Sequence, residues 1–313
     1  MPVFKAYCNG ITIGVPPTKN DHARGKRGTV NGWSESATRR NTAFLYSVDA
    51  TKLTGHGYAL TLTTDILPPT SDDWSRATNL FKKRIERMNL IRYHWVNEWQ
   101  RRGVPHLHAM VYFNEPLTPN QIGKLKIHWI ESVHNTYGGH PQTQSQTIKP
   151  VSNALGWAQY LGKHGSRGLR HYQRANKPKE WEKTGRMWSK GGDWPTNVTE
   201  GEIDLKHFHA LRRLAKRYRI ADARSEQDPK ARSRRITYAR NMLKNPNPNL
   251  SRVTGVSEWI PQELIFTMLL ASQPDQKELR HEKETIPCTL QRKDTVLPRT
   301  SAQVRRQADQ GTC

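Results

Sequence analysis

Between residues 58 and 165 the apolar positions switch repeatedly between two periods, and each switch marks an element. Tyr58, Leu60, Leu62 and Thr64 alternate with Ala59, Thr61 and Thr63, the period-two pattern of a strand with one buried face. Pro68-Pro69 ends it. Ser71 is the expected N-cap of a helix with Asp72 and Asp73 in its first turn, and Trp74, Ala77, Phe81, Ile85 and Met88 recur at helical spacing. Residues 92 to 113 read as a hairpin whose strands are rich in aromatic and β-branched side chains, joined by a loop over 100 to 105. Thr118-Pro119 supplies an N-cap and a proline at the first helical position; Ile122, Leu125, Trp129, Val133 and Tyr137 then carry a helical stripe to Gly138-Gly139. A fourth strand is expected over 143 to 151. Ser152 or Asn153 can cap a third helix holding Ala154, Leu155, Trp157, Ala158 and Leu161, ended by Gly165. The order strand, helix, strand, strand, helix, strand predicts an α+β fold with an antiparallel split-βαβ sheet, ferredoxin- or RRM-like, and helices on one face.

The flanks are patterned differently. Residues 1–57 show little apolar periodicity, with Pro16-Pro17 and basic clusters at Arg24-Gly25-Lys26-Arg27 and Arg39-Arg40. They read as a basic, partly disordered arm with a short helix near 36 to 47, which either contacts DNA or only solubilises the chain. Residues 167 to 195 interleave Trp181, Trp188 and Trp194 with arginines and lysines, a mixture suited to stacking on single-stranded DNA or, equally, to filling a core. From 205 to 240 there are twelve Lys and Arg against three acids, and Leu205, Phe208, Leu211, Leu214 and Tyr218 keep a helical stripe. That helix is either a duplex-contacting element or a solvated one. A break at 245 to 249 and one more short helix precede a polar, unpatterned end. The organisation expected is an arm (1–57), a central domain (58–195), a basic helical DNA-binding region (196–271) and a disordered tail (272–313).

Charge narrows the partner. Fifty Lys and Arg against 27 Asp and Glu give the 313 residues a formal charge of +23, which points to a polyanion, nucleic acid first. No run of eighteen apolar residues exists and the N-terminus lacks the form of a signal peptide, so a soluble cytoplasmic protein with no membrane partner is expected. Cys8, Cys288 and Cys313 are too scattered for a zinc ribbon or a disulfide framework.

Candidate chemistry sits in the hairpin. His106 and His108 are two apart in a strand, so both imidazoles share a face while Leu107 and Ala109 take the other. An antiparallel return lays Glu98 close to His106. Two nitrogens and a carboxylate with open positions suit Mn²⁺ or Mg²⁺, among other divalent metals. The alternative is that each histidine is an ordinary surface or core residue.

His106-Leu107-His108, with Glu98 before it and Gly103-Val104-Pro105 leading in, resembles the motif of the HUH endonucleases, and among them the rolling-circle replication initiators of plasmids and single-stranded-DNA phages. Two companion motifs stand in the order that family uses: Tyr58-Ala59-Leu60-Thr61-Leu62-Thr63-Thr64 upstream, and Tyr160-Leu161-Gly162-Lys163 downstream. The resemblance covers roughly 58 to 165. It implies that Glu98, His106 and His108 bind Mg²⁺ or Mn²⁺ and that Tyr160 attacks the scissile phosphate. A covalent 5′-phosphotyrosine would form and a 3′-OH would be released for polymerase. An unperturbed phenol has a pKa of about 10, so Lys163, three residues on and on the same helical face, is expected to stabilise the phenolate or the developing charge. Some family members carry a second tyrosine four residues later. Here that position is His164, so the chain looks like the one-tyrosine type, with a second subunit, water or Tyr172 left to complete termination.

The implied partners are single-stranded and origin DNA, together with a host helicase, polymerase and single-strand-binding protein, since no Walker-type loop is present. Two alternatives stand beside this reading. One is a non-catalytic nucleic-acid-binding module, which would present aromatics rather than histidines on its sheet. The other is a relaxase or transposase of the same HUH group.

Overall fold

The computed structural model describes residues 1–16, 28–162, 171–244 and 253–273. In chain order the first elements are β1 (Val3–Tyr7), β2 (Gly10–Gly14) and α1 (Glu35–Ser47). The described residues of 1–57 are therefore not an arm with little structure of its own, although the helix expected near 36–47 is present. Next come β3 (His56–Thr63), α2 (Ser71–Glu86), β4 (Leu90–Trp99), β5 (Pro105–Phe113), α3 (Pro119–Tyr137), β6 (Thr147–Pro150) and α4 (Ala154–Leu161). The remainder comprises α5 (Tyr172–Ala175), β7 (Trp188–Gly192), β8 (Val198–Glu202), α6 (Leu205–Arg224), α7 (Pro229–Asn241), β9 (Val256–Trp259) and α8 (Gln262–Ala271).

Two compact units form, one from the described residues of 25–45 and 50–195, the other from those of 1–24, 46–49 and 196–296. The first holds a five-stranded antiparallel sheet in the order β6-β3-β5-β4-β7. Its first four strands are the split-βαβ arrangement that the element order predicts, and β7 adds an edge beside β4. Leu60, Leu62, Leu107, Ala109, Val111 and Phe113 line one sheet face and are buried. Trp74, Ala77, Phe81 and Ile85 of α2 and Leu125, Trp129 and Val133 of α3 are buried as well, and the ring of Trp129 meets Trp74 at 5.4 Å and Phe81 at 5.6 Å, edge to face. The opposite face carries Glu98, His106 and His108. There the structure departs from helices on one face only: α1 reaches this side through Phe44, stacked on His94 at 5.2 Å, and α4 and α5 lie over its other end.

Local chemistry fixes the ends of these helices. Helix α2 is capped by Thr70 rather than Ser71, because Thr70 stands three residues before Asp73: its hydroxyl accepts from the Asp73 N–H at 3.1 Å while the Asp73 carboxylate accepts from the Thr70 N–H at 3.0 Å. Thr118 and Gln121 form the same reciprocal box on α3, which Gly138 ends in the left-handed region at φ 78°. Within the described residues 171–195 the tryptophans serve packing more than exposure. Trp181 and Trp194 are buried, and the Trp181 indole donates to the Pro68 carbonyl at 2.9 Å, so neither ring offers a face for a base.

The second unit contains a four-stranded antiparallel sheet, β8-β1-β2-β9. Ile11 and Ile13 pack in one core with Phe208, Leu211 and Ala215 of α6 and Ile265 of α8. The described residues of 196–271 are thus both helical and stranded, with β8 and β9 pairing on the N-terminal strands. The expected tail lies outside the described residues except for Ser272 and Gln273.

Candidate active site

The β4–β5 hairpin turns tightly. Gln100 N–H donates to the Val104 carbonyl at 2.9 Å, Gly103 N–H to the Gln100 carbonyl at 2.9 Å, and Gly103 takes φ 79°, which a glycine adopts without penalty. This turn sets the register that pairs Glu98 with His106 and Val96 with His108. On the other side of β5, Thr63 pairs with His106 and Thr61 with His108. Directly opposed residues share a sheet face, so one face presents Thr61, Thr63, Glu98, His106 and His108 together.

Glu98 is 1% exposed, and a carboxylate buried to that degree needs donors. Its Oε2 accepts from the Gln173 amide at 2.7 Å and lies 3.5 Å from Nε2 of His108. The Nδ1 of His108 is 3.1 Å from the Thr61 hydroxyl. A hydroxyl both donates and accepts, so Thr61 serves either histidine tautomer, including the one that leaves the Nε2 lone pair available to an ion. His106 is half-buried, its ring 4.5 Å from that of His108. Its Nδ1 is 2.9 Å from the Gln100 side-chain nitrogen Nε2, which is also 2.9 Å from the Thr63 hydroxyl, while the Gln100 side-chain oxygen Oε1 accepts from Arg102 at 2.7 Å.

The donor chemistry of this face, one carboxylate and two imidazoles, fits Mn²⁺ or Mg²⁺ with room for water and phosphate. As they stand, Glu98 and His108 meet while His106 is turned toward Gln100, and no three His, Cys, Asp or Glu side chains among the described residues are grouped closely enough to enclose an ion.

Helix α4 brings a tyrosine to the same face. Asn153 caps it, accepting from the Gly156 N–H at 2.9 Å, and Ala158 and Leu161 are its buried positions. Tyr160 falls on its half-buried side, with its ring edge-on to His108 at 5.5 Å and an interplanar angle of 81°. Trp157, one turn earlier, stacks on it at 4.8 Å and 24°. Four of the five residues expected at the site, Glu98, His106, His108 and Tyr160, are therefore together; the fifth, Lys163, lies outside the described residues, as does His164. Tyr172 is adjacent in sequence to Gln173, with the Arg101 guanidinium 5.6 Å above its ring.

Sequence reasoning missed Gln173, Gln100 and Trp157. Gln173 reaches Glu98 from the four-residue α5, which has no periodicity to announce it. That short helix is anchored by Arg174, which is buried, hydrogen-bonds Thr38, lies 5.4 Å over the Trp33 ring, and is held down to a pKa of about 10 by burial. Thr61 and Thr63 stand in the upstream motif, and their alternation with Leu60 and Leu62 was the available signal.

An α+β sheet that gathers two histidines, a buried carboxylate and a tyrosine is matched over residues 57–165 by the family model for replication-associated protein ORF2/G2P, which gives the class: a replication-associated protein. The chain is 44% identical over 278 residues to the replication-associated protein G2P of Pseudomonas phage Pf3, covering 86% of this chain and 96% of that protein. A Xylella fastidiosa (strain 9a5c) protein named for replication is 41% identical over 277 residues, 85% of this chain and 94% of its own length. The chain belongs to the replication-associated protein ORF2/G2P family. No solved structure matches it. Among the described residues no helix is long and apolar enough to cross a membrane.

Proposed function

We propose that the protein initiates rolling-circle replication by cutting one DNA strand at an origin, with Tyr160 as nucleophile and Glu98, His106 and His108 as the residues that would hold Mg²⁺ or Mn²⁺. The observation that carries this reading is the edge-on approach of Tyr160 to His108, 5.5 Å between rings, on the face that holds Glu98. The ion, when bound, would neutralise phosphate charge and orient the scissile group for in-line attack.

The chain's own residues have separable tasks. Gln173 and Thr61 hold Glu98 and His108 in place. Trp157 stacks on the phenol and restricts its swing. The Tyr160 oxygen bonds to phosphorus, the bond from phosphorus to the 3′ oxygen breaks, and the phenolic proton ends on that oxygen as a free 3′-OH. Lys163 is assigned to the phenolate or the developing phosphate charge. The phosphotyrosine retains the phosphodiester energy, so reversal rejoins a strand without ATP. The work takes place on single-stranded and origin DNA in the host cytoplasm, with a host helicase, polymerase and single-strand-binding protein.

The test is cleavage of the circular single-stranded DNA that encodes the chain, with Mn²⁺ or Mg²⁺ and with chelator, for wild type and His106→Ala. Metal-dependent nicking lost in the variant supports the reading; binding without cleavage under every metal tried would replace it with a non-catalytic module.

A further inference from the structure

The second unit carries a surface that the nicking chemistry does not use. Helices α6 and α7 pack against each other, joined by the four residues 225–228. Asp228 caps α7, accepting from the Lys230 and Ala231 N–H groups at 3.1 and 3.3 Å, and Pro229 occupies its first turn.

The two sides of α7 are unlike. Its inward side is neutralised: Arg235 pairs with Asp222 at 2.7 Å and Glu226 at 2.8 Å, and Asp222 also meets Arg219 at 3.0 Å, which in turn reaches Glu258 at 3.3 Å. Ala239, on that side, is fully buried. These ion pairs fix the roll of α7 against α6. Its outward side presents Lys230, Arg234, Thr237 and Asn241, spaced four, three and four apart and hence in one stripe, all exposed. Arg240 and the 54%-exposed Tyr238 flank it. No acidic residue occurs on α7, and among the described residues Lys230, Arg234 and Arg240 form no ion pair.

We propose that α7 is a recognition helix that enters the major groove of duplex DNA through this stripe. A helix of 13 residues is about 20 Å long and fits a groove about 12 Å wide. Arginine reads guanine and asparagine reads adenine through paired hydrogen bonds, while lysine and threonine suit phosphates. A single strand is the poorer partner, because stacking needs a row of rings and α7 offers Tyr238 alone. A short turn between packed helices, the second of which faces outward, is the arrangement by which helix-turn-helix proteins dock. The assignment is independent of the nicking reading.

The experiment uses the full chain and fluorescence anisotropy on duplexes of about 30 bp tiled across the DNA that encodes it, enough for a site and its flanks, and on the separated strands. Arg234→Ala and Asn241→Ala are the test variants, both at exposed helical positions where alanine favours the helix. Lys83→Ala, on α2 of the other unit, controls for net charge. We expect Arg234→Ala to weaken the best duplex about 5- to 150-fold, with single-strand binding changed less than twofold and Lys83→Ala matching wild type. Lys230→Ala lowers the salt slope by about 1. Wild-type affinity in Arg234→Ala and Asn241→Ala, an equal loss on single strands, or an equal loss in Lys83→Ala would each overturn the proposal.

Discussion

Thr61 stands opposite His108 across the β3–β5 ladder, and its hydroxyl lies 3.1 Å from the imidazole Nδ1. The pairing gives the upstream Leu-Thr-Leu-Thr strand a purpose: its leucines enter the core, and its threonines hold the histidine face. Thr61→Val keeps the shape and removes the hydroxyl. If His108 holds the ion as proposed, Mn²⁺ affinity measured by calorimetric titration is expected to fall about 10- to 100-fold, the usual cost of losing a partner behind a ligating histidine. Unchanged affinity would detach Thr61 from the ion site.

Gln173 holds the Glu98 carboxylate from α5. Gln173→Leu preserves volume and leaves that buried group one donor poorer, at an expected cost of about 1–3 kcal/mol. The melt is run with chelator present, so that the loss reads the hydrogen bond and not an ion. A melting temperature equal to wild type would mean that the 2.7 Å contact contributes nothing.

Trp129 is fully buried between Trp74 and Phe81, and its indole donates to the Thr63 carbonyl at 2.7 Å. It joins the helical layer to the strand whose other side carries the histidine partners. Trp129→Ala is expected to cost about 3–5 kcal/mol in denaturant unfolding, as a large cavity and an unmade hydrogen bond.

The Thr70 hydroxyl, and after it the Arg76 guanidinium, hold the Asp73 carboxyl below the usual carboxylate range. A carboxylate whose folded pKa is depressed contributes stability above its unfolded pKa of about 4 and loses it as pH falls through the folded value. Asp73→Ala should therefore destabilise by about 1 kcal/mol near neutral pH, through loss of the capping box. The gap between the two melting temperatures should close below about pH 4. A gap independent of pH would assign the effect to packing.

Much of the first unit was legible because its signals are local. Period-two and period-3.6 stretches, the Thr118-Pro119 start and the Gly138 stop all sit within one element, and the sheet order follows from their sequence. Glu98 and His106 could be paired because a short turn separates them. The second sheet was hidden for the opposite reason: β1 finds its partner β8 in a register of Val3 with Glu202, and five-residue strands as polar as Val198–Glu202 carry no pattern of their own. Gln173 was hidden likewise, since its contact with Glu98 spans 75 residues. The tryptophans over 181–194 were ambiguous because composition alone does not distinguish a ring that stacks on a base from one that fills a core.

The proposed function stands or falls on a covalent bond between Tyr160 and DNA. The most direct measurement is peptide mass spectrometry after incubation with the circular single-stranded DNA and Mn²⁺, followed by nuclease digestion, for wild type and Tyr160→Phe. The expected result is a nucleotide adduct on the peptide containing Tyr160, absent from Tyr160→Phe although that variant folds like wild type. An adduct on Tyr172 instead, or cleavage that persists in Tyr160→Phe, would contradict it.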